Sequence, residues 1–296
     1  MTTRYTTRRG IILMILAQIC FVGAWSAVKH IGQRLPLFEV LFFRGFFSLS
    51  ILLPATLWRV RTLRVNAKKM VFLRSFFGYI AMILSFHAIV RMEMGDAASL
   101  FNTLPIFVAL LAPPLLREPF GRKQFIFIIT AFAGILMILK PTSGIVQTMS
   151  VYALLAGFIS SISMICIRKI HEKDSSWVIA LYFTIFTAIA SAPMAIATYV
   201  PPTPIEWALL GFIGLMISLA QIFLTKAYKL GQAATIAPFN YTFVIGSYIA
   251  GLLIFSEIPD AISIAGACII VGSGIAIMLN APKKQSPPGS TPAIKI

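Results

Sequence analysis

Runs of about twenty apolar residues, unbroken by charge, follow one another along almost the whole chain. A helix needs about 20 apolar residues to cross the hydrocarbon of a bilayer. Lipid offers backbone groups no hydrogen-bond partners, so only helices and closed barrels can span it. The runs are continuous rather than alternating, which selects helices. Letting charges, prolines and glycines break them gives ten spans, near 10–29, 37–58, 70–90, 97–116, 124–140, 150–168, 176–198, 206–227, 233–255 and 261–280. Composition agrees: hydrophobic residues make up 58% and charged residues 11%, against about 45–50% and about 25% in soluble chains. These proportions exclude a soluble enzyme, a disordered protein and a disulfide scaffold.

The formal net charge is +16. In a soluble domain that balance would suggest nucleic acid. Here the cations lie between apolar runs, so they report topology, and no nucleic-acid partner is expected. With the N-terminus in the cytoplasm, 20 of the 25 Lys and Arg fall on the cytoplasmic side, Arg74 among them. Lys29, Arg34, Arg91 and Lys140 fall outside, and Arg44 remains within a helix. Glu39, Glu93, Asp96, Glu206, Glu257 and Asp260 lie at the outer edge. The positive-inside rule therefore predicts both termini in the cytoplasm. Residues 1–9 form a cytoplasmic N-terminus, and 281–296, rich in Pro and Ser, a disordered cytoplasmic tail. The first run is long enough to span and lacks a small-residue cleavage site, so no cleavable signal is expected. Cys20, Cys166 and Cys268 lie in apolar runs without metal-ligand or disulfide spacing. No metal and no cofactor are expected.

The chain also repeats. A shift of 139 brings Ala17 onto Ala156, Lys29 onto Arg168 and Pro54 onto Pro193; a shift of 136 brings Gly78 onto Gly214, Gly95 onto Gly231 and Phe107 onto Phe243. Residues 10–140 and 148–280 thus form two five-helix units joined by a loop at 141–147. Five is odd, so the second unit enters the membrane from the opposite side. Such inverted repeats provide two related packings, one open to each side.

The segments FFRGFF and GDAASLFNTLPIFVALLAPPLLREPFGRKQFIFIITAFAGILMIL, with GQAATIAPFNYTFVIGSYIAGLLIFSEIPDAISIAGACIIVGSGIAIML in the second half, resemble the EamA domain of the drug/metabolite transporter superfamily. The resemblance covers about residues 10–280. The Gly usual before the family's Glu is Arg117 here, and Ser256 in the second half. It implies an all-α polytopic membrane protein of ten helices that transports small organic metabolites, such as amino-acid derivatives, nucleoside-like compounds including S-adenosylmethionine, or vitamins.

The candidate binding residues follow from polarity inside spans. The fourth span carries Asn102 and Pro105, and the ninth carries Pro238, Asn240 and Tyr241. Prolines at matched repeat positions free backbone carbonyls, and asparagine adds donors and acceptors. They serve either a substrate site or packed kinks. Gln221 and Gln18 are candidate wall residues. Arg44 either snorkels and bonds helix carbonyls or neutralises an anionic substrate group. His87 is the candidate for proton coupling, and Trp25 reads as an interfacial anchor. Glu118 and Glu257, at matched helix ends, read as caps of the helices that follow. No HExxH, GxSxG or P-loop is present. The leading reading is a secondary transporter of a small polar or amphipathic metabolite in a bacterial-type inner membrane, a permease working by alternating access that is downhill, an exchanger or coupled to an ion. The alternatives are an intramembrane lipid-modifying enzyme and a non-transporting membrane partner.

Overall fold

A computed structural model describes residues 2–60, 62–116, 122–139, 145–170, 174–230 and 236–280. Among these the regular structure is helical, with no strand. In chain order the first half holds α1 (Thr2–Ile31), α2 (Leu37–Arg59), α3 (Lys68–Arg91), α4 (Met94–Phe101), α5 (Leu104–Leu116) and α6 (Arg122–Leu139). The second holds α7 (Ile145–Lys169), α8 (Ser176–Ala197), α9 (Pro204–Leu230), a 3-10 turn (Ala237–Tyr241), α10 (Thr242–Phe255) and α11 (Ala261–Leu279). Helices α4 and α5 make one crossing, broken at its middle. The 3-10 turn and α10 make the matching crossing in the second half.

Nine of the described crossings are long and apolar enough to span a bilayer, and Lys123–Leu139 is a shorter apolar tenth. The fold is a ten-helix membrane bundle built from two inverted five-helix repeats. Its packing shows the pseudo-two-fold relation. Helix α1 lies along α9 as α7 lies along α3, while α2 faces its counterpart α8 and α6 faces its counterpart α11. Exchanging the halves swaps the first two pairings and maps each of the other two onto itself.

Apolar side chains such as Leu136, Ile189, Ile196 and Leu253 are exposed on the outside of the bundle. Inside, apolar side chains such as Leu41, Ile89 and Ile135 pack together with small and hydroxylic residues, which let helices in lipid approach closely. Ser75, Ser99 and Ser218 each donate to the carbonyl one turn back, on Val71, Gly95 and Gly214. A Cβ on Gly134 would lie 2.7 Å from the Gly266 carbonyl, so α6 and α11 touch backbone to backbone. Trp25 is not at an interface. It is buried, with its ring 4.9 Å from Phe243, 5.4 Å from Phe101 and 6.5 Å from Phe86. It therefore joins α1 to α3 and to both broken crossings.

Candidate functional site

The two breaks differ in detail. Helix α4 ends at Phe101, with Asn102 as its C-cap and the Asn102 amide donating to the Ala98 carbonyl at 2.9 Å. Pro105 sits in the first turn of α5, where its missing N–H costs nothing. The break thus precedes the proline and falls at the asparagine. On the α7 side, a Cβ at Gly157 would come within 2.9 Å of the Phe101 carbonyl and of the Thr103 hydroxyl, so this glycine lets α7 lie against the exposed carbonyls. In the second half Gln18 on α1 holds the position equivalent to Gly157. Its amide donates to the Asn240 side chain at 2.9 Å and also lies 3.3 Å from the Met14 sulfur. One break is covered by a glycine and the other is hydrogen-bonded by a glutamine.

Tyr241 is buried beside Asn240, with its hydroxyl lacking a hydrogen-bond partner and pressed where a Cβ on Gly274 would lie. Gln221 is half-buried on α9. The structure brings Gln18 and Asn240 into direct contact. Asn102 and Pro105 lie at the other break, and Arg44 lies apart, on the face shared by α2, α3 and α8.

Arg44 has a companion that charge counting assigned to a loop. Arg74 lies about two turns inside α3, and its guanidinium sits 3.9 Å over the Phe183 ring. Arg44 lies at a similar depth from the other end of the bundle, with its guanidinium 5.8 Å from the Phe86 ring and in contact with the Met82 sulfur. Both side chains are half-buried, and Arg44 Nε, Arg74 Nε and Arg74 Nη1 are buried without a hydrogen-bond partner. Neither forms an ion pair among the described residues, unlike Lys29 with Glu257 and Arg34 with Glu206. An arginine at the centre of a membrane helix costs about 2.5–3.5 kcal/mol on insertion scales. A cation–π contact returns about 0.5–2 kcal/mol. Each arginine is therefore left under-compensated. Two signals in the sequence could have marked Arg74: its depth inside an apolar run and the absence of an acid within a helical turn.

The two ends of the bundle are not alike. At the end carrying Glu257 a cavity of about 440 Å³ opens between α1, α2, α3 and α8, lined in part by Gln33, Arg34, Phe86, His87, Arg91 and Thr198. The His87 ring lies here, half-buried, with Nδ1 3.1 Å from the Ile83 carbonyl. Glu206 pairs with Arg34 at the rim and holds that guanidinium above its ordinary pKa range. Beside this mouth the same end is latched. Glu257 pairs with Lys29 and accepts from the Met94 N–H at 2.8 Å, while Asp96 accepts from the Tyr248 and Ser263 hydroxyls at 2.7 and 3.0 Å. Glu257 thus caps α4, in the other half of the chain, rather than the helix that follows it. Asp260 caps that helix, accepting from Ser263 N–H at 2.7 Å. Glu118 lies outside the described residues.

The pseudo-symmetric counterpart of the mouth, at the Asp174 end, is filled. Leu52, Trp177 and Leu181 are buried there with Val60 and Leu63 packed on them. The Asp174 carboxylate accepts from the Asn66 N–H at 2.9 Å, the Asn66 amide at 2.8 Å and the Ala67 N–H at 3.1 Å, binding the loop after α2 to the start of α8. Glu39 makes the related contact at the open end, where one oxygen accepts from the Val200 N–H at 3.0 Å and the other is buried without a partner. Among the described residues no group of three His, Cys, Asp or Glu side chains stands together to hold a metal.

Two five-helix units, one with a crossing broken at Asn102 and the other with a 3-10 turn around Asn240 at the matching position, match the EamA-like transporter family over residues 8–140 and 147–279. The chain belongs to that family. Relatives in this drug/metabolite transporter group include the pseudopaline exporter CntI of Pseudomonas aeruginosa, 30% identical over 276 residues, covering 91% of this chain and 96% of that protein. The S-adenosylmethionine uptake transporter of Rickettsia felis is 30% identical over 259 residues, covering 87% of this chain and 88% of that one. A solved structure with 19% identity superposes with a TM-score of 0.65 over 94% of this chain and shares the fold. The family and these relatives are transporters of small metabolites, in chains with multiple membrane spans.

Proposed function

We propose that this EamA-family protein is a secondary transporter of a small polar or amphipathic organic metabolite, working by alternating access in a bacterial-type inner membrane. One observation carries the reading. A pseudo-symmetric bundle has an open cavity at one end and a filled, clamped counterpart at the other. Exchanging the two packings would open the opposite side, as inverted repeats allow. The charge distribution supports cytoplasmic termini, an orientation that puts the 440 Å³ cavity on the outer side. The path runs from that cavity past Phe86 to Arg44 and toward the broken crossings, with Asn102, Pro105, Asn240, Tyr241, Gln221 and Gln18 as the polar groups that exchange with cargo hydration. His87 faces the cavity and is the group that would couple proton movement to transport. The units run over 10–140 and 148–280, flanked by cytoplasmic ends at 1–9 and 281–296.

Counterflow tests the reading. Lipid vesicles holding the purified chain are preloaded with a bacterial metabolite extract and exposed to labelled metabolites. At least one should accumulate with saturable kinetics. Accumulation no greater than in protein-free vesicles, across the whole extract, would refute transport.

A further inference from the structure

We propose that Arg44 and Arg74 together form a site for two carboxylates, so that the cargo of this transporter is an organic dianion. The proposal deepens the transport reading and rests on it. Four observations converge. The two guanidiniums flank one feature: Phe183 lies under Arg74 at 3.9 Å and also lines the small space beside Arg44, with Gly45, Ser48, Thr184 and Thr187. Three of their N–H-bearing nitrogens are buried and unpaired. Among the described residues no carboxylate pairs with them. Asp96, Asp174, Asp260, Glu39, Glu206 and Glu257 are engaged at the two ends of the bundle, with backbone N–H groups, hydroxyls, Lys29 or Arg34. Finally, Phe86 belongs both to the wall of the open cavity and to the ring contact under Arg44, so one aromatic ring stands between the cavity and the first guanidinium.

The chemistry follows from the fork shape of guanidinium. Its N–H groups meet carboxylate oxygens in parallel pairs, giving directional charge-assisted bonds. Two unpaired guanidiniums inside a bundle create a positive field that balances when two negative groups arrive. A net cationic cargo meets repulsion instead. The space beside Arg44 is about 10 Å³ in this packing, room for about one water. Phe86 and Phe183 must therefore turn aside as cargo enters, releasing the guanidiniums from the rings. The second half supplies an aromatic ring, Phe183, at the position equivalent to Arg44, so both cations come from the first repeat.

The test uses the purified full chain in detergent and in vesicles. The probes are succinate and citrate, the uncharged diamide of succinate, glycerol 3-phosphate, and S-adenosylmethionine, which is net cationic. Succinate or citrate should raise the thermal midpoint saturably, and the diamide and S-adenosylmethionine should not. Arg44→Gln and Arg74→Gln should each weaken the carboxylate effect about tenfold or more. Arg44→Lys and Arg74→Lys should lose less, and the midpoints without probe show whether each variant is folded. The proposal is overturned if neither carboxylate stabilises the wild type, if the diamide or S-adenosylmethionine stabilises it as well as they do, or if both Gln variants bind carboxylate normally. Tighter binding of glycerol 3-phosphate would overturn the carboxylate assignment. Vesicle exchange separates the two levels. Exchange of S-adenosylmethionine alone leaves the transporter reading standing and ends this one; carboxylate binding without carboxylate exchange also overturns the cargo assignment, while the transporter reading stands or falls with the counterflow of the whole extract.

Discussion

Replacing Asp174 with alanine removes the clamp on the filled end of the bundle. The carboxylate there accepts three hydrogen bonds at 2.8–3.1 Å, two from backbone N–H groups and one from the Asn66 amide. Bonds to a charged acceptor are worth about 1.5–3 kcal/mol each when their partners stay buried. Here the donors recover water when the end opens, so about 1 kcal/mol each, or about 3 kcal/mol in all, is a fair net value. That shifts the ratio of open to closed forms about 150-fold. The assay places one cysteine, Leu63→Cys, in the apolar plug of a chain whose Cys20, Cys166 and Cys268 are changed to serine. A membrane-impermeant thiol reagent applied from the Asp174 side should label it at least tenfold faster in Asp174→Ala. Thr198→Cys, at the rim of the open cavity, should label more slowly. Asp174→Asn, which keeps one acceptor oxygen, should fall between. Equal labelling of Leu63→Cys with and without Asp174, in folded protein, would refute the clamp.

Three further outcomes are expected. Lys29→Met and Glu257→Gln should each lower thermal stability by about 3–5 kcal/mol, because each strands a buried partner; the double variant should lose less than the sum, measured as a double-mutant cycle. Gly95→Ala should cost about 1–3 kcal/mol of stability, since its Cβ would fall on the Tyr248 ring, which Asp96 holds by a 2.7 Å hydrogen bond. Asn240→Leu deprives Gln18 of its acceptor and should lower the unfolding midpoint, by about 1–3 kcal/mol in free energy, and raise the half-saturation concentration for counterflow.

The crossings were legible because length and polarity fix them: lipid tolerates few other solutions. The repeat was legible because its shift stays nearly constant from Ala17 to Phe107. Arg74 was misplaced because the same residue type marks a cytoplasmic loop and an intramembrane site, and counting cannot separate the two within two turns of a helix end. Glu257 was misplaced for another reason. Its partners, Lys29 and the start of α4, are close only after both halves pack. The proline rule located each broken crossing to within a few residues, but the break itself follows the polar Asn102 and the 3-10 turn around Asn240. Trp25, which hydropathy assigns to an interface, is drawn inward by three phenylalanines from separate crossings.

The central claim is that the two ends open in alternation. Spin labels at Arg91 and Thr198 report the mouth, and a second pair at Arg64 and Ser176 reports the filled end. Pulsed distance measurements on the vesicle-reconstituted protein, with and without a transported cargo, should show two distances for each pair. As cargo is added, the mouth pair should shorten in the same fraction of molecules in which the Asp174-end pair lengthens. A single unchanging distance at the Asp174 end, under conditions in which cargo crosses the membrane, would contradict alternating access.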